Sequence, residues 1–344
     1  MFKILSGVWA PLVGMVFVML GNGMHFTLIG LRADLEAFSG GDIALVTSGY
    51  FVGFLSGARL APALIRRVGH AKVFAALASM MSAGLIAFEL QADPGVWTLL
   101  RLALGFCMSG LYVTTESWLN EASENHVRGK VLSVYMVGHT LGIMGAQALV
   151  GQGDAGTANP FITASIFVSL AVVPILLSTN PAPPARITTP MSLSHLFEVS
   201  PLGATGVFLL GALFAVQGGM GAIFGAQIGM SPQQIALFVA LLFSGPLVLQ
   251  YPIGALSDWM DRRSVLLVTA LLGVAASGLG LSSGGWMPVL WVAAFLTGGL
   301  STPLYAVCVA QTNDKLSVEE MPAASGGLIF VFGLGAILGP MVAG

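Results

Sequence analysis

The chain has 344 residues, of which 56% are hydrophobic and only 8% are charged, and its mean hydropathy is +0.89. Soluble domains are about 45–50% apolar and about 25% charged, so this composition excludes an ordinary soluble fold and indicates a polytopic membrane protein in a lipid bilayer. The net charge is −2, and the basic residues form no basic face outside short loops. We therefore expect no nucleic-acid partner.

Eleven stretches of the chain satisfy the length of about 20 mostly apolar residues that a membrane-spanning helix needs. The first follows Lys3 like a signal peptide, but we interpret it as a retained helix because no small-residue cleavage site and soluble domain follow. The predicted fold class is therefore an all-α polytopic membrane protein. The predicted helices cover 7–30, 43–64, 72–91, 96–118, 130–151, 160–178, 201–228, 233–256, 264–282, 287–310 and 323–344.

A single long polar stretch, 179–200, separates two halves of the chain. We expect an N-terminal six-helix lobe at 1–178, a cytoplasmic linker at 179–200, and a C-terminal lobe of five helices at 201–344. Lys and Arg support this topology. With a cytoplasmic N-terminus, the inner loops hold ten of the thirteen basic residues and the outer loops hold only Arg32.

The two halves repeat one another in sequence. Asp42–Leu45 recurs as Gln234–Leu237 at an offset of 192, and Gly110–Tyr112 falls on Pro303–Tyr305 at an offset of 193. The order and near-constant offset of these weak identities indicate a parallel repeat of a six-helix unit. Such repeats form two-lobed transporters, whose substrate sites lie near the midplane between the lobes.

The repeat also shows that the chain has no counterpart of helix six. Gly344 corresponds to the end of helix five in the first half. Either the protein has eleven helices or this chain is shortened, and we favour the second interpretation.

The inner loop after helix two resembles the signature of the major facilitator superfamily, roughly G-x-L-A-D-R-x-G-R-R. The clearer copy lies in the second half, at Gly254–Arg263, and includes Asp258, Arg262 and Arg263. The first-half copy, Pro62–His70, keeps Arg67 and Gly69 but places Arg66 where the family has its aspartate.

Three further stretches, LAPALIRRVGH, GLYVTTESWLNEAS and VRGKVLSVYM, resemble the YcaD-like branch of that superfamily. The resemblance implies a monomeric secondary transporter in the bacterial inner membrane, with helices one, four, seven and ten lining the cavity. The glycine series of helix five lacks its final proline, so it does not decide between import and export.

Charges at membrane depth are costly and usually face a cavity or a partner. All six such ionisable residues lie in the first half: His25, Arg59, Glu89, Arg101, Glu116 and His139.

Arg59 and Glu116 lie at similar depth near the inner ends of their helices, which predicts a structural ion pair between them. The functional alternative is that Glu116 changes protonation as the inner side opens.

Arg101 lies near the outer end of helix four, at the depth of Glu89, and a local Glu89–Arg101 pair is the simpler interpretation. In the alternative, Arg101 faces the cavity with His25 and binds an anionic group or relays protons, since a guanidinium donates two hydrogen bonds to a carboxylate or phosphate.

Four further residues are candidate site residues. Asn22, between Gly21 and Gly23, could mark a loosened stretch of helix one that lines the site. His139 is either an interior hydrogen-bonded residue or a proton carrier. Helix packing alone could account for Tyr112 and Gln217.

Charged residues at the inner surface are candidates for a gate. Glu121 and Asp314 occupy matching positions after helices four and ten. We predict that Glu121 meets Arg66 and Arg67, and that Asp314 meets Arg262 and Arg263. Solvated charges that only set topology are the alternative.

The chain carries no Walker, HExxH, CxxC or Ser-His-Asp pattern, so we expect no enzyme, no cofactor and no metal. The predicted function is proton-coupled transport of a small organic solute by alternating access. The competing hypothesis is a non-transporting membrane sensor or assembly partner. A passive channel is disfavoured because the second half has no polar stripe.

Overall fold

The computed structural model of the chain describes residues 2–123, 125–178, 191–317 and 320–343, and over these ranges it contains thirteen helices and no strand. The helices are α1 Phe2–Leu35, α2 Gly40–Val68, α3 His70–Ala87, α4 Pro94–Ala122, α5 Asn125–Val150, α6 Asn159–Leu170, α7 Val172–Leu177, α8 Leu193–Val199, α9 Pro201–Gln227, α10 Pro232–Trp259, α11 Arg262–Leu281, α12 Met287–Asn313 and α13 Met321–Ala343.

The all-helical membrane fold predicted from the sequence is confirmed. In the described ranges ten helices are long and apolar enough to cross a membrane, with α6 and α7 forming one span, Asn159–Leu177. The apolar part of α5, Val134–Val150, supplies an eleventh stretch. The predicted linker 179–200 is described only from residue 191, where α8 forms and buries Leu196 completely.

Helix starts follow the capping residues of the sequence. Asp93 caps α4 by accepting a hydrogen bond from the Val96 amide, just before a proline at the first helical position. Ser231 and Gln234 form a reciprocal capping box at the start of α10, again with a proline at the first position. These caps satisfy amide groups that would otherwise lack acceptors at a helix end.

The helices divide into two compact units, Met1–Ile187 and Thr188–Gly344. In the N-terminal unit α2 packs along α4, and α1 packs along α5 and α6. In the C-terminal unit α10 packs along α12, and α9 packs along α13. The same helix pairing therefore occurs twice, in the same chain order.

Glycines set the closest of these contacts. A Cβ atom at Gly53 would lie within van der Waals overlap of the Leu102 carbonyl oxygen, and one at Gly105 would overlap the Tyr50 carbonyl oxygen. In the C-terminal unit Gly245 and Gly298 make the equivalent approach between α10 and α12. Membrane helices pack through such small residues because lipid supplies no hydrophobic drive for their association.

A serine cluster joins α3 to α6 in the N-terminal unit. The Ser82 hydroxyl lies 2.7 Å from the hydroxyls of both Ser165 and Ser169. The described part of the C-terminal unit has no helix that packs on α11 as α6 packs on α3. Large apolar side chains of α11, among them Leu267 and Leu271, are accordingly exposed.

Candidate functional site

Among the described residues of the N-terminal unit, two polar clusters contain ionisable side chains within the apolar helices. The first, the Arg101 cluster, consists of Arg101 on α4, Asn22, His25 and Phe26 on α1, and Tyr50 on α2. Arg101 is 0% exposed, and its guanidinium carbon lies 4.6 Å from the Phe26 ring centroid and 4.4 Å from the Tyr50 ring centroid. The two aromatic faces attract the cation and cover it.

The polar atoms of the Arg101 cluster lack protein partners. Among the described residues, Nε, Nη1 and Nη2 of Arg101 find no hydrogen-bond acceptor, and both ring nitrogens of His25 and Oδ1 of Asn22 are equally unpaired. Buried polar groups in native proteins are almost always hydrogen-bonded. The cluster therefore holds unmet hydrogen-bonding capacity, most of it donor capacity, in the interior of the unit.

The predicted Glu89–Arg101 pair is not formed, so that interpretation was wrong. Glu89 lies in the turn after α3 ends, and its Oε2 is 4.0 Å from Nη1 of Arg32. Arg32 also donates to Oε1 of Glu36 at 2.8 Å and to the Ala155 carbonyl at 3.3 Å. The turn directs Glu89 to this ion cluster beyond the apolar part of the helices. The alternative hypothesis, in which Arg101 faces a cavity together with His25, is therefore the one that remains.

Helix α1 is not loosened around Asn22, contrary to the sequence hypothesis. It runs unbroken from Phe2 to Leu35. Its glycines serve close approach instead, because a Cβ at Gly21 would lie 2.5 Å from the Ala164 carbonyl oxygen. Beside it, Gln147 of α5 accepts from the Thr27 hydroxyl at 2.8 Å and donates to the Gly23 carbonyl at 3.2 Å. Those two bonds fasten α5 to α1.

The second cluster, the Glu116 cluster, joins α4 to α5 and consists of Tyr112, Glu116, Tyr135 and His139. The Tyr112 hydroxyl lies 2.5 Å from Nε2 of His139. The Tyr135 hydroxyl donates to Oε1 of Glu116 at 3.5 Å, the long limit for such a bond. Glu116 is exposed, whereas Tyr135 is 2% exposed.

The predicted ion pair between Arg59 and Glu116 is not formed. No salt bridge joins the two side chains, which both belong to the described part of the chain, and Arg59 is exposed on α2. Similar depth in the membrane did not bring them together, because rotation about the helix axis decides which neighbour a side chain meets.

The predicted contacts at the inner ends of the helices are met in part. Nε of Arg262 donates to Asp314 at 2.6 Å, whereas Arg263 is exposed. Glu121 lies 4.0 Å from Nε2 of His70. Among described side chains it makes no ion pair with Arg66 or Arg67, which are exposed where α2 ends.

His70 is directed away from solvent. It begins α3, is 1% exposed, and places Nε2 3.0 Å from the Ser117 hydroxyl of α4. Gly69, just before it, has a φ of 86°, a value that favours glycine at this junction. The side chain of Asp258 lies outside the described residues. In the C-terminal unit, Gln217 donates to the Ser301 hydroxyl at 3.3 Å.

Sequence reasoning missed the two aromatic residues that cover Arg101. Tyr50 shares a helix face with Gly53 and Gly57, both of which touch α4. The spacing of three and seven residues could have placed Tyr50 against α4, because small residues mark the contact face of a membrane helix. Phe26 carries no comparable signal.

This arrangement defines a class of protein: a polytopic helical membrane protein made of two similarly paired helix units, with buried polar clusters in the first. Within that class, the chain belongs to the Major Facilitator Superfamily, whose family model matches residues 12–225 and 203–344. It is a secondary transporter, and its sequence is similar to those of YcaD-type proteins.

Relatives and solved structures agree with this assignment. The chain is 25% identical to the "Uncharacterized MFS-type transporter YcaD" of Salmonella arizonae over 96% of its own length and 86% of the relative's. The corresponding protein of Escherichia fergusonii is 26% identical over the same shares.

The fold is similar to that of two solved transporters. One is the nucleoside transporter NupG (D323A mutant), with a TM-score of 0.83 and 15% identity over 98% of this chain and 90% of that one. The other is a D-xylose-proton symporter, with a TM-score of 0.74 and 15% identity over 99% of this chain and 90% of that one.

Proposed function

We propose that the chain moves a small organic solute with an anionic group across the bacterial cytoplasmic membrane by alternating access, and that protons drive the transport. The observation that carries the proposal is Arg101. Its guanidinium is fully buried and its three nitrogens have no acceptor within the described protein. A planar cation of this kind suits a carboxylate or a phosphate, which accepts two parallel hydrogen bonds.

Neighbouring polar atoms support the same role. His25 and Asn22 lie on α1, near Arg101, and each has polar atoms without partners. They offer further hydrogen bonds to an organic solute bound at Arg101. The rings of Phe26 and Tyr50 cover the guanidinium, so a solute reaches it only when α1 or α2 shifts. That requirement suits alternating access, in which helices move around a fixed site.

Proton coupling is supported by two observations of different kinds. The Glu116 cluster supplies titratable groups at membrane depth in the same unit as Arg101. One protein of similar fold is described as a D-xylose-proton symporter, and another as a nucleoside transporter. From these two proteins we carry over to this chain only the general class of solute, a small polar organic molecule.

A ligand screen on the purified full chain tests the proposal. We expect an organic carboxylate or phosphate to raise the thermal unfolding temperature of the wild type and of Arg59→Gln, but not of Arg101→Gln. Arg59 is the matched control because it is an exposed arginine in another apolar helix. An equal shift in Arg101→Gln would remove Arg101 from the site. No shift with any solute, together with no uptake into proteoliposomes, would favour the sensor or assembly-partner hypothesis.

A further inference from the structure

We propose that the solute bound at the Arg101 cluster is a small hydroxy acid. Its single carboxylate binds Arg101, and its hydroxyl group lies between Asn22 and His25. This inference rests on the proposed function and names the class of solute that the same site selects. Simple alkyl carboxylates, phosphate monoesters, dicarboxylates and amino acids are then poorer solutes.

The polar atoms of α1 lie close to the guanidinium of Arg101. The Phe26 ring contacts the guanidinium, and Asn22, four residues earlier, shares that face of the helix. Asn22 also interacts with the side chain of Tyr50, the second ring over the guanidinium, and its Oδ1 is left without a donor. His25 is near enough to Arg101 for the two side chains to interact electrostatically. These groups therefore form one site within the N-terminal unit.

The charge of the cluster selects a solute with one negative charge. Arg101 is fully buried, and no described carboxylate pairs with it. A second positive charge on His25 would add to the cost of burial, so we take its imidazole as neutral. A carboxylate balances the single guanidinium charge. A phosphate monoester, at about −1.5 to −2, or a dicarboxylate would leave unbalanced negative charge in a buried site.

The unpaired acceptors of the cluster require a donor from the solute. Oδ1 of Asn22 only accepts hydrogen bonds, and a neutral imidazole has one donor and one acceptor nitrogen. Both side chains are at least nine-tenths buried, and buried acceptors in native proteins are almost always paired. A carboxylate carries no donor of its own. The solute therefore needs a donor group in addition to its carboxylate.

A hydroxyl group meets this requirement and an ammonium group does not. An ammonium would place a second cation beside Arg101, where no described acidic side chain balances it. A hydroxyl is neutral, donates one hydrogen bond and accepts two. It can donate to Oδ1 of Asn22 and accept from the ring N–H of His25 at the same time.

Aromatic rings limit the size and shape of the solute. The His25 ring centroid lies 4.6 Å from that of Phe88 and 6.1 Å from that of Phe161. Such rings offer apolar surface to a short carbon chain. Asn22 and Phe26 are about 6 Å apart along the axis of α1. The hydroxyl therefore belongs on the second or third carbon of the acid, within reach of both Asn22 and the guanidinium.

A matched series of solutes tests the inference on the purified full chain. Dissociation constants and thermal unfolding shifts are measured for 2-hydroxypropanoate and 3-hydroxybutanoate, and for propanoate and butanoate, which lack the hydroxyl. Alanine, 2-hydroxybutanedioate and glycerol 3-phosphate complete the series. We expect at least one hydroxy acid to bind about tenfold more tightly than its deoxy partner, because it pairs acceptors that are otherwise unmet. The last three solutes should bind more weakly than that hydroxy acid.

Variants of α1 locate the hydroxyl group. Asn22→Leu and His25→Phe should each bind the hydroxy acid and its deoxy partner about equally, with the affinity for the deoxy partner retained. A purely structural role would weaken both solutes alike. Gln147→Leu is the control, since Gln147 is a buried polar residue of the same unit whose bonds go to Thr27 and Gly23. It should keep the preference for the hydroxy acid.

Two results would overturn the inference. The first is equal affinity of the wild type for hydroxy acids and their deoxy partners, which would mean that water alone pairs the buried acceptors. The second is an unchanged preference in Asn22→Leu or in His25→Phe. The wild-type series decides the question even where a variant does not fold.

The series also separates this inference from the proposed function. Binding of a simple carboxylate or a phosphate that requires Arg101, without preference for a hydroxyl, would keep the proposed function and reject the hydroxy acid. Absence of binding by every anion, together with absence of uptake into proteoliposomes, would reject both.

Discussion

The burial of Arg101 combines a stabilising contact with aromatic rings and a cost of removing its charge from water. Stacking between Phe26 and Tyr50 contributes about 2 kcal/mol when a cation is desolvated. Removing an ion from water costs several kcal/mol, and no described carboxylate offsets that cost. A residue that costs more than it contributes to folding points to a role in transport.

Arg101→Met is expected to fold at least as well as the wild type. Methionine is shorter than arginine but is flexible and apolar enough to pack against both rings, and replacement of buried ionic groups by apolar ones is often neutral or stabilising by about 1–4 kcal/mol. Solute uptake should be lost. Thermal unfolding and uptake measured on the same preparation check both statements, with Arg59→Met as the exposed control. A lower unfolding temperature for Arg101→Met would show that the charge is structural.

Gln147 should behave in the opposite way. Its two hydrogen bonds, to Thr27 and Gly23, fasten α5 to α1, and each such bond between membrane helices is worth about 0.6 kcal/mol on average. Gln147→Leu should therefore lose about 1–2 kcal/mol of stability and keep its transport activity. Denaturation in detergent measures the first, and proteoliposome uptake the second. The exposed Gln250→Leu should change neither, and loss of uptake without loss of stability would place Gln147 in the solute path.

Position along a helix predicts the contacts of a charged side chain only in part. Counting from a helix end placed Glu89 within helix three, whereas it lies in the turn after α3, and neither predicted ion pair is formed. Depth says nothing of rotation about the helix axis, and a turn of one residue moves a side chain by about 100°. Arg262 and Asp314 were predicted to meet and do so, because both lie at helix ends where long side chains reach across.

Among whole elements, the α2–α4 contact is the tightest feature of the N-terminal unit. Gly53, Gly57 and Gly105 bring the two backbones together at the level of Tyr50 and Arg101. At these three glycines the close approach leaves no room for a Cβ atom. It also fixes where the Tyr50 ring lies over Arg101, so the helix contact and the candidate site share the same residues.

Gly53→Ala should destabilise this contact strongly. The added methyl group would lie 1.8 Å from the Leu102 carbonyl oxygen, and only a displacement of backbone can relieve that overlap. We expect a loss of about 1–3 kcal/mol or more, as for other overpacked sites. Gly254→Ala in α10 is the matched control, since a Cβ there meets nothing within 4 Å. Equal yields and unfolding temperatures for the two variants would contradict the packing argument.

Apolar length predicted the spanning helices well because about 20 residues are needed to cross a bilayer. It did not predict α8, which is only seven residues long and lies within the expected linker. Such a short helix depends on tertiary contacts, here the burial of Leu196 and the Ser192 cap. The predicted end of helix three was also too late, because Phe88 and Glu89 form a turn that no apolar count reveals.

The whole molecule should insert with its N-terminus and linker on the cytoplasmic side, as its basic residues predict. Ser194→Cys, on the exposed side of α8, should react with an impermeant thiol reagent only in inverted vesicles. Ser282→Cys, after α11, should react in intact cells. The native Cys107 and Cys308 are 1% and 2% exposed and should stay unlabelled. Labelling of both positions from one side would refute the topology.

The pairing of α2 with α4 and of α1 with α5 has a consequence for biosynthesis. Neighbouring helices in the chain leave the ribosome as hairpins, but here the closest partners are not consecutive. A nascent chain that has inserted only α1 to α3 presents the groove at Gly53 and Gly57 to lipid without its partner. The N-terminal unit therefore completes its core only late in synthesis, since α2 waits for α4, and α1 waits for α5 and α6.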